Sequence, residues 1–327
     1  MIQGIKKAWL RPICLFLLTV LLTFGCTSIN SNNREATSSS QTRTPSEITT
    51  SNTDRNNQLR DRIEQISQVA QGRVGATATV LETEESASLN GGQQFPMQSI
   101  YKFPIAMAVL AQVDQGNLEL NQKIRIEASD IVQDSQILEE NSQGREFRLA
   151  ELLQYMVSES DSTACDALLR LIGGPQRVME YLSRLGVNDI VVANTENEIQ
   201  FEQDPTLQYR NYATPDAAVN LLRAFHEGRG LSDSSQDSLR QWMIETSTGP
   251  NRIKGLLPEG TVVAHKTGTS ATVDGVTAAT NDVGLVTLPN GQHLAIAVFV
   301  SDSRASDTTR EEVIAKVAKA AWDEWSQ

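Results

Sequence analysis

The spacing of apolar and polar positions divides the chain into three parts, and the first looks like an export signal. A basic segment precedes an apolar run over residues 13–24, followed directly by Gly25 and Cys26. The run is shorter than a membrane-spanning helix needs, and this order is typical of a secretory signal. We expect residues 1–26 to be a signal peptide of the lipoprotein type, acylated on Cys26. An ordinary signal peptide with a chance cysteine is the alternative.

The second part, residues 27–57, is rich in Ser, Thr and Asn and has almost no apolar side chains. A segment with so little to bury cannot offset its chain entropy, so we expect a disordered linker. The third part, residues 58–327, is then the folded domain. Export would place this domain in the periplasm or cell envelope, where it would meet the membrane only through a lipid anchor at Cys26.

Periodic apolar positions predict both helices and strands in the folded part. Helical spacing begins near Leu59 and recurs over residues 99–113, 149–157, 162–171, 214–225, 235–244 and 309–325. Strand-like stretches cover residues 74–81, 262–266, 277–288 and 293–300. Strands therefore lie near both ends of this part and helices fill its middle. The turns between successive strands indicate an antiparallel sheet covered by helices, an α+β fold.

Composition and charge exclude several classes of protein. The 327 residues carry 28 basic and 40 acidic side chains, a formal net charge of −12, which disfavours nucleic-acid binding. Three cysteines cannot form a disulfide framework, and three histidines are too scattered to indicate a metal site. We expect neither a metal nor an organic cofactor.

The first candidate site is Ser99 with Lys102, at the start of a predicted buried helix. Residues three apart share a helix face. A serine hydroxyl becomes nucleophilic when a nearby base takes its proton, and a lysine whose pKa burial lowers is such a base. Free N–H groups at the helix start would stabilise an oxyanion. The alternative is a surface serine followed by a lysine in a salt bridge.

A second candidate lies between two predicted helices, at Ser160, Asp161 and Ser162. Ser160 would relay a proton to a leaving group, and Asp161 is well suited to cap the following helix. The simpler interpretation is a helix start without any catalytic role.

The third candidate ends a predicted strand, at Lys266, Thr267, Gly268 and Thr269. The lysine and the two hydroxyls would hold a carboxylate. Gly268 would keep the strand face clear for a substrate, and the N–H of Thr269 would be an oxyanion donor. The alternative is an edge strand that ends in polar residues.

The fourth candidate is an acidic, aperiodic loop over residues 194–211. Long structured loops in compact domains are often functional. A glutamate here would activate a water molecule, and Glu196 and Glu198 are the two candidates. A solvated acidic loop is the alternative.

Taken in order, these four pieces resemble the class A serine β-lactamases, and the PER/VEB-type branch most closely. The resemblance extends from about Gln58 to the end and includes the phrases GGPQRVMEYL, LQYRNYATP and STGPNRIKGLLPEGTVVAHKTGTS. It implies a five-stranded antiparallel sheet covered by helices, an all-helical subdomain and a site between them. It implies an antibiotic-resistance enzyme that hydrolyses the β-lactam amide of penicillins and cephalosporins, and a monomer.

The resemblance also implies a role for each matching residue. Ser99 would be the acylated nucleophile, Lys102 a participant in proton transfer and Ser160 the donor to the lactam nitrogen. Glu196 would activate the deacylating water; counting forward from Gly173 favours it, whereas counting backward from Gln208 favours Glu198. The substrate would contact Ser162, Arg252, Lys266, Thr267, Gly268 and Thr269, and the N–H groups of Ser99 and Thr269 would form the oxyanion hole.

The chain departs from the family pattern at two positions that bear on turnover. Ser162 stands where the family usually has Asn, so we expect weaker substrate anchoring. Gln200 stands where Asn is usual, and its longer amide would still hold a water. Two other functions remain open: a D,D-peptidase-like protein, which would lack the deacylating glutamate, and a sensor or trap that binds β-lactams and deacylates slowly.

Overall fold

The computed structural model describes residues 45–133, 135–201 and 206–326, with side chains from residue 53 onward except that of Phe201. The expected signal peptide and the first part of the expected linker lie outside these residues. Among the residues that the structure describes, no helix has both the length and the apolar composition that a membrane-spanning segment requires.

The helices of the described residues agree in position with most of those that the periodicity predicts. They are α1 (Pro45–Ser67), α2 (Lys102–Asp114), α3 (Leu149–Ser158), α4 (Ser162–Ile172), α5 (Pro175–Leu185), α6 (Glu196–Phe201), α7 (Pro215–His226), α8 (Asp233–Ile244) and α9 (Asp307–Trp325). Side-chain caps begin several of them: Asp161 accepts a hydrogen bond from the Ala164 N–H at the start of α4, and Thr214 accepts from Ala217 at the start of α7.

Three helices differ from the prediction, and one of them is α6, which lies in the segment predicted to be an aperiodic loop. Helix α1 begins at Pro45, so residues 45–57, which the sequence analysis assigned to the linker, are helical. Proline suits a first helical turn, but the polar residues after it bear no apolar spacing that periodicity could detect. Helix α5 was missed, although Gly174 and Pro175 mark its start and Gly186, with a positive φ of 71°, marks its end.

The strands of the described residues form one large sheet and two small ones. They are β1 (Arg73–Val80), β2 (Ser86–Leu89), β3 (Phe95–Pro96), β4 (Lys123–Arg125), β5 (Glu146–Arg148), β6 (Ile190–Val191), β7 (Tyr212–Ala213), β8 (Val263–Thr269), β9 (Thr272–Val273), β10 (Val276–Thr287) and β11 (His293–Ser303). The large sheet has the order β2-β1-β11-β10-β8, all antiparallel, and the short β9 adds to β10. The five-stranded antiparallel sheet is thereby confirmed, with a two-residue sixth strand.

Both faces of this sheet are covered, which explains why its strands read as continuous apolar runs. Along β11, Ile296 and Val298 belong to a core formed with helices α1 and α9, whereas Ala297 and Phe299 belong to the core of the helical region. Successive residues of a strand point to opposite faces. Strand β11 therefore contributes side chains to both cores, one on each face of the sheet.

The helical region is built around α2, which is buried along nearly its whole length. Helices α3, α4, α5 and α8 pack around it and contribute Leu152, Leu168, Leu182 and Leu239 to one core. This is the all-helical subdomain that the family resemblance implies. The short 3₁₀ turn before α2, Gln98–Tyr101, contacts the sheet at β8, so the two regions meet where Ser99 and Lys266 lie.

We predict that the core between the sheet and the terminal helices contributes strongly to stability. Val313 on α9 is fully buried, whereas Val69, in the short turn after α1, is 53% exposed. Val313→Ala should lower the free energy of unfolding by about 2 kcal/mol, because it removes buried methyl groups and leaves a cavity. The same exchange at Val69 should change it by less than about 0.5 kcal/mol. Urea denaturation measures both, and equal losses would contradict the assignment of this face as core.

Candidate active site

Ser99 lies in a 3₁₀ turn, Gln98–Tyr101, that leads directly into α2 at Lys102. The serine thus precedes the α-helix instead of starting it. Gln98 has a positive φ of 48°, an uncommon conformation for a residue with a side chain. Its amide donates to Gln208 at 3.0 Å, which attaches the turn to the segment after α6.

The turn is pressed against β8, and this contact explains Gly268. A Cβ atom on Gly268 would lie 2.3 Å from the carbonyl oxygen of Met97. The sequence analysis expected this glycine to clear space for a substrate, and that reason is wrong: the side that it leaves open is occupied by the backbone before Ser99. Gly268 instead allows the strand and the Ser99 turn to approach each other.

A cleft of about 220 Å³ opens beside this contact. Its lining combines serine and threonine hydroxyls with one arginine. The residues are Ser99, Ser135, Gln136, Ser160, Ser162, Thr248, Gly249, Arg252, Thr267 and Thr269. The structure therefore brings together candidate residues from all three motifs that lie outside the acidic loop.

Lys102 is fully buried behind the cleft and contacts three groups. Its Nζ donates to the carbonyl oxygen of Ser160 at 2.6 Å and to the Ser162 hydroxyl at 3.0 Å, and lies 2.9 Å from Oε1 of Glu196. Burial lowers the pKa of this ammonium, but the neighbouring Glu196 carboxylate outweighs burial, and the pKa ends above its ordinary value. The expectation of a lysine made basic by burial is wrong for this state, because Lys102 is held protonated.

Lys266 is the second fully buried ammonium, on β8. Its Nζ donates to the Ser160 hydroxyl at 2.9 Å. Burial, followed by the charge of Lys102, lowers its pKa to about 7, although the Asp282 and Glu196 carboxylates oppose the shift. Ser160 thus joins the two lysines, with its carbonyl on one and its hydroxyl on the other, and it does so at a positive φ of 59°.

The two loop glutamates occupy different environments. Glu196 begins α6 and points to Lys102. Glu198 is exposed and turns back toward the start of α6, where its Oε2 accepts hydrogen bonds from the Thr195 N–H at 2.9 Å and the Asn194 amide at 3.2 Å. Of the two candidates, only Glu196 is in contact with the lysine behind Ser99.

Asp166 holds Glu196 in place, and the sequence analysis did not identify it. This nearly buried carboxylate on α4 accepts hydrogen bonds from the N–H groups of Glu196 at 2.9 Å and Asn197 at 2.8 Å. Burial raises its pKa to about 7, against the lowering effect of those two hydrogen bonds. The available signal was a carboxylate four residues after Ser162, within the otherwise apolar stretch Ala164–Leu169 of α4.

Gln200 also differs from expectation. Its Oε1 accepts from the backbone N–H of Gln133 at 2.8 Å, and its Nε2 donates to the carbonyl of the same residue at 3.1 Å. Both amide atoms are therefore engaged with the backbone, whereas the sequence analysis expected the amide to hold a water. The pair ties α6 to the segment before α3.

Arg252 lies along the end of β8 and is almost completely buried. Its guanidinium donates to the Thr269 hydroxyl at 2.8 Å and to the carbonyl of Asn281 at 3.0 Å, and pairs with Glu311 at 3.1 Å. The Thr267 hydroxyl lies 2.6 Å from that of Thr248. Charged and hydroxyl donors from three elements thus surround one end of the cleft.

Comparison with known proteins identifies relatives over the whole described domain. The model of the family described as the β-lactamase enzyme family matches residues 58–325. The extended-spectrum β-lactamase PER-1 of Pseudomonas aeruginosa is 43% identical over 267 residues, 81% of this chain and 86% of that protein. The β-lactamase VEB-1 of the same organism is 42% identical over 266 residues, 80% of this chain and 88% of that protein.

A solved structure supports the same relationship. The crystal structure of a β-lactamase from Chitinophaga pinensis superposes with a TM-score of 0.78 at 44% identity, and the alignment covers 81% of this chain and 98% of that one. The chain therefore belongs to the β-lactamase enzyme family, as a class A hydrolase of β-lactams in the PER/VEB branch.

Proposed function

We propose that the protein hydrolyses β-lactams through an ester on Ser99. The observation that carries this proposal is the contact between Lys102 and Glu196 behind a serine that lines the cleft. Ser99 Oγ attacks the lactam carbonyl carbon and its proton passes to Glu196. The carbon–nitrogen bond breaks as that proton is relayed by way of Lys102 and Ser160 to the nitrogen, which leaves Glu196 ionised again. Ser99 then carries the acyl group as an ester.

The protonation of Lys102 supports Glu196 as the acceptor of that proton. An ammonium has no free electron pair with which to accept a proton. In this state Lys102 therefore orients the Glu196 carboxylate and offsets its negative charge. In the second half of the reaction Glu196 takes a proton from a water that attacks the ester, and Ser99 leaves with a proton returned to it. Asp166 keeps Glu196 in position for both steps through its hydrogen bond to the backbone.

The opposite end of the cleft suits a substrate carboxylate. Lys266 and Arg252 supply positive charge, and Thr267 and Thr269 supply hydroxyls. The N–H groups of Ser99 and Thr269 would stabilise the oxyanion. The Ser162 hydroxyl accepts from Lys102 and lines the cleft, so it would contact the acylamino part of a substrate.

The substrates that we propose are penicillins and cephalosporins, with antibiotic resistance as the consequence. PER-1 is named an extended-spectrum β-lactamase, and its identity to this chain supports the inclusion of cephalosporins. We also propose export to the periplasm or cell envelope as a monomer, with acylation at Cys26 as the anchor; the supporting observation is the basic and apolar pattern of residues 1–26.

We predict that Ser99→Ala abolishes turnover. Nitrocefin hydrolysis should fall by at least about 1000-fold, since the attacking oxygen is lost. Intact mass after benzylpenicillin should show no adduct on the variant. Ser183→Ala, at an exposed serine on α5, is the matched control and should keep full activity. A long-lived adduct on the unmodified protein with little turnover would favour the sensor or trap instead.

We predict that Glu196→Gln accumulates the acyl-enzyme. The amide cannot accept the proton of the attacking water, so steady-state turnover should fall by about 100- to 10,000-fold. Acylation should also slow, because Glu196 accepts the Ser99 proton, but an ester once formed lacks a base to activate water. Intact mass after prolonged incubation with benzylpenicillin should therefore show a persistent adduct on this variant. Glu198→Gln is the matched comparison and should leave no lasting adduct, because that side chain caps α6. The reverse pattern would assign the role to Glu198.

We predict an alkaline decline in kcat/KM that arises from Lys266. Its pKa of about 7 means that the ammonium loses its charge as the pH rises through that value, and the hold on an anionic substrate then weakens. For benzylpenicillin, kcat/KM should fall by up to about tenfold per pH unit above this point, since it reports on the free enzyme. Lys266→Arg should remove the decline, because guanidinium stays charged. A wild-type profile that is flat to pH 9 would contradict this assignment.

A further inference from the structure

Glu82, His226 and His293 converge at one end of the large sheet, outside the lining of the cleft. Glu82 follows β1, His226 is the last residue of α7, and His293 is the first residue of β11. Each offers one ligand atom, and the three atoms lie within 4.8 Å of one another. Sequence spacing did not reveal this cluster, because the fold brings its members together from three distant segments.

The distances within the cluster are close to those of a metal site. Nδ1 of His293 lies 2.7 Å from Oε1 of Glu82, and Nε2 of His226 lies 3.8 Å from the same oxygen. The two imidazole rings are 4.3 Å apart between centroids. Ligand atoms around a tetrahedral Zn²⁺ are about 3.3 Å apart, given bonds of about 2.0–2.1 Å. Side-chain adjustments of under about 1 Å would therefore suffice.

His226 is not committed to any hydrogen bond. Its buried Nδ1 has no partner among the described residues, and the contact of Nε2 with Glu82 exceeds hydrogen-bond length. The side chain is 24% exposed, and Nε2 is the nitrogen that faces Glu82. As a ligand, it would bind without the loss of any existing bond.

The other two ligands are oriented by the backbone. The N–H of His293 donates to Oε2 of Glu82 at 2.8 Å, which turns Oε1 toward the rings. The N–H of Leu81 donates to the carbonyl of His293 at 2.9 Å and so fixes the spacing of the two chain segments. Such supporting hydrogen bonds are typical around ligands that are held ready for a metal.

The charges around the cluster permit a cation. Glu82 brings one negative charge to the cluster. Of the nearby cationic side chains, Arg223 pairs with Glu84, and Arg240 lies over the ring of Phe225.

We propose that Glu82, His226 and His293 bind one divalent transition-metal ion of the Zn²⁺ class, with water completing the coordination. Two imidazoles and one carboxylate suit such ions, whereas Mg²⁺ prefers oxygen ligands alone. The ion would join the end of α7 to β1 and β11, so its effect is on stability. The proposal is independent of the chemistry at Ser99.

The test is a titration of the metal-free protein with Zn²⁺ against a chromophoric chelator, with Tm measured in parallel. One Zn²⁺ should bind per chain and raise Tm. His226→Gln and Glu82→Gln should each weaken binding by at least about tenfold and remove the rise in Tm. Glu227→Gln is the control, because this exposed carboxylate adjoins His226 but pairs with Arg229; it should keep both responses.

Two results would overturn the proposal. One is the absence of saturable Zn²⁺ binding by the wild type. The other is undiminished affinity in both His226→Gln and Glu82→Gln, which would locate the bound ion elsewhere. Circular dichroism without metal establishes that each variant is folded, and His293→Gln replaces either one that is not. A rise in Tm with Mg²⁺ that needs the same residues would overturn the assignment to a transition metal.

Discussion

The burial of Lys102 beside Glu196 is the interaction on which the arrangement of the site depends. Removing an ammonium from water costs several kcal/mol unless charge and hydrogen bonds compensate. Here the compensation comes from α6, through the carboxylate, and from the Ser160 carbonyl and Ser162 hydroxyl. The acidic loop, the α3–α4 connection and α2 must therefore meet at one point. The contacts that bury Lys102 thus also hold these three parts of the helical region together.

The features that could be predicted from the sequence are those that depend on local residue patterns. Apolar spacing located most helices and the long strands, and the motif order brought Ser99, Lys102 and Lys266 together correctly. Residues whose importance comes from a distant partner were missed or misinterpreted. The role of Asp166 depends on α6, because it accepts a hydrogen bond from the backbone of that helix. The need for glycine at position 268 depends on Met97, whose carbonyl oxygen leaves no room for a Cβ atom. Gln200 resembled a water ligand because Gln133 is far away in the chain.

Rigid elements hold each group that the proposed chemistry needs. Lys266 lies on β8, which pairs with β10, and β10 in turn pairs with the doubly covered β11. Lys102 begins the buried helix α2, and Ser162 begins α4. Ser160 is an exception, because it lies in the connection between α3 and α4 and has a positive φ. Its hydrogen bonds with Lys102 and Lys266 hold it in that conformation. Gln98, in the turn that carries Ser99, also has a positive φ, and its amide is bonded to Gln208.

The distribution of charge around the cleft would also determine the orientation in which a substrate binds. The whole chain carries a net charge of −12, yet Arg252 lines the cleft and two buried lysines, Lys102 and Lys266, hydrogen-bond to the Ser160 that lines it. Glu196 pairs with Lys102 and Glu311 pairs with Arg252, so the remaining positive charge is that of Lys266 on β8. The proposed mechanism places the carboxylate of an anionic substrate at that end, beside Lys266. In that orientation its lactam ring would lie beside Ser99, next to the paired charges of Lys102 and Glu196.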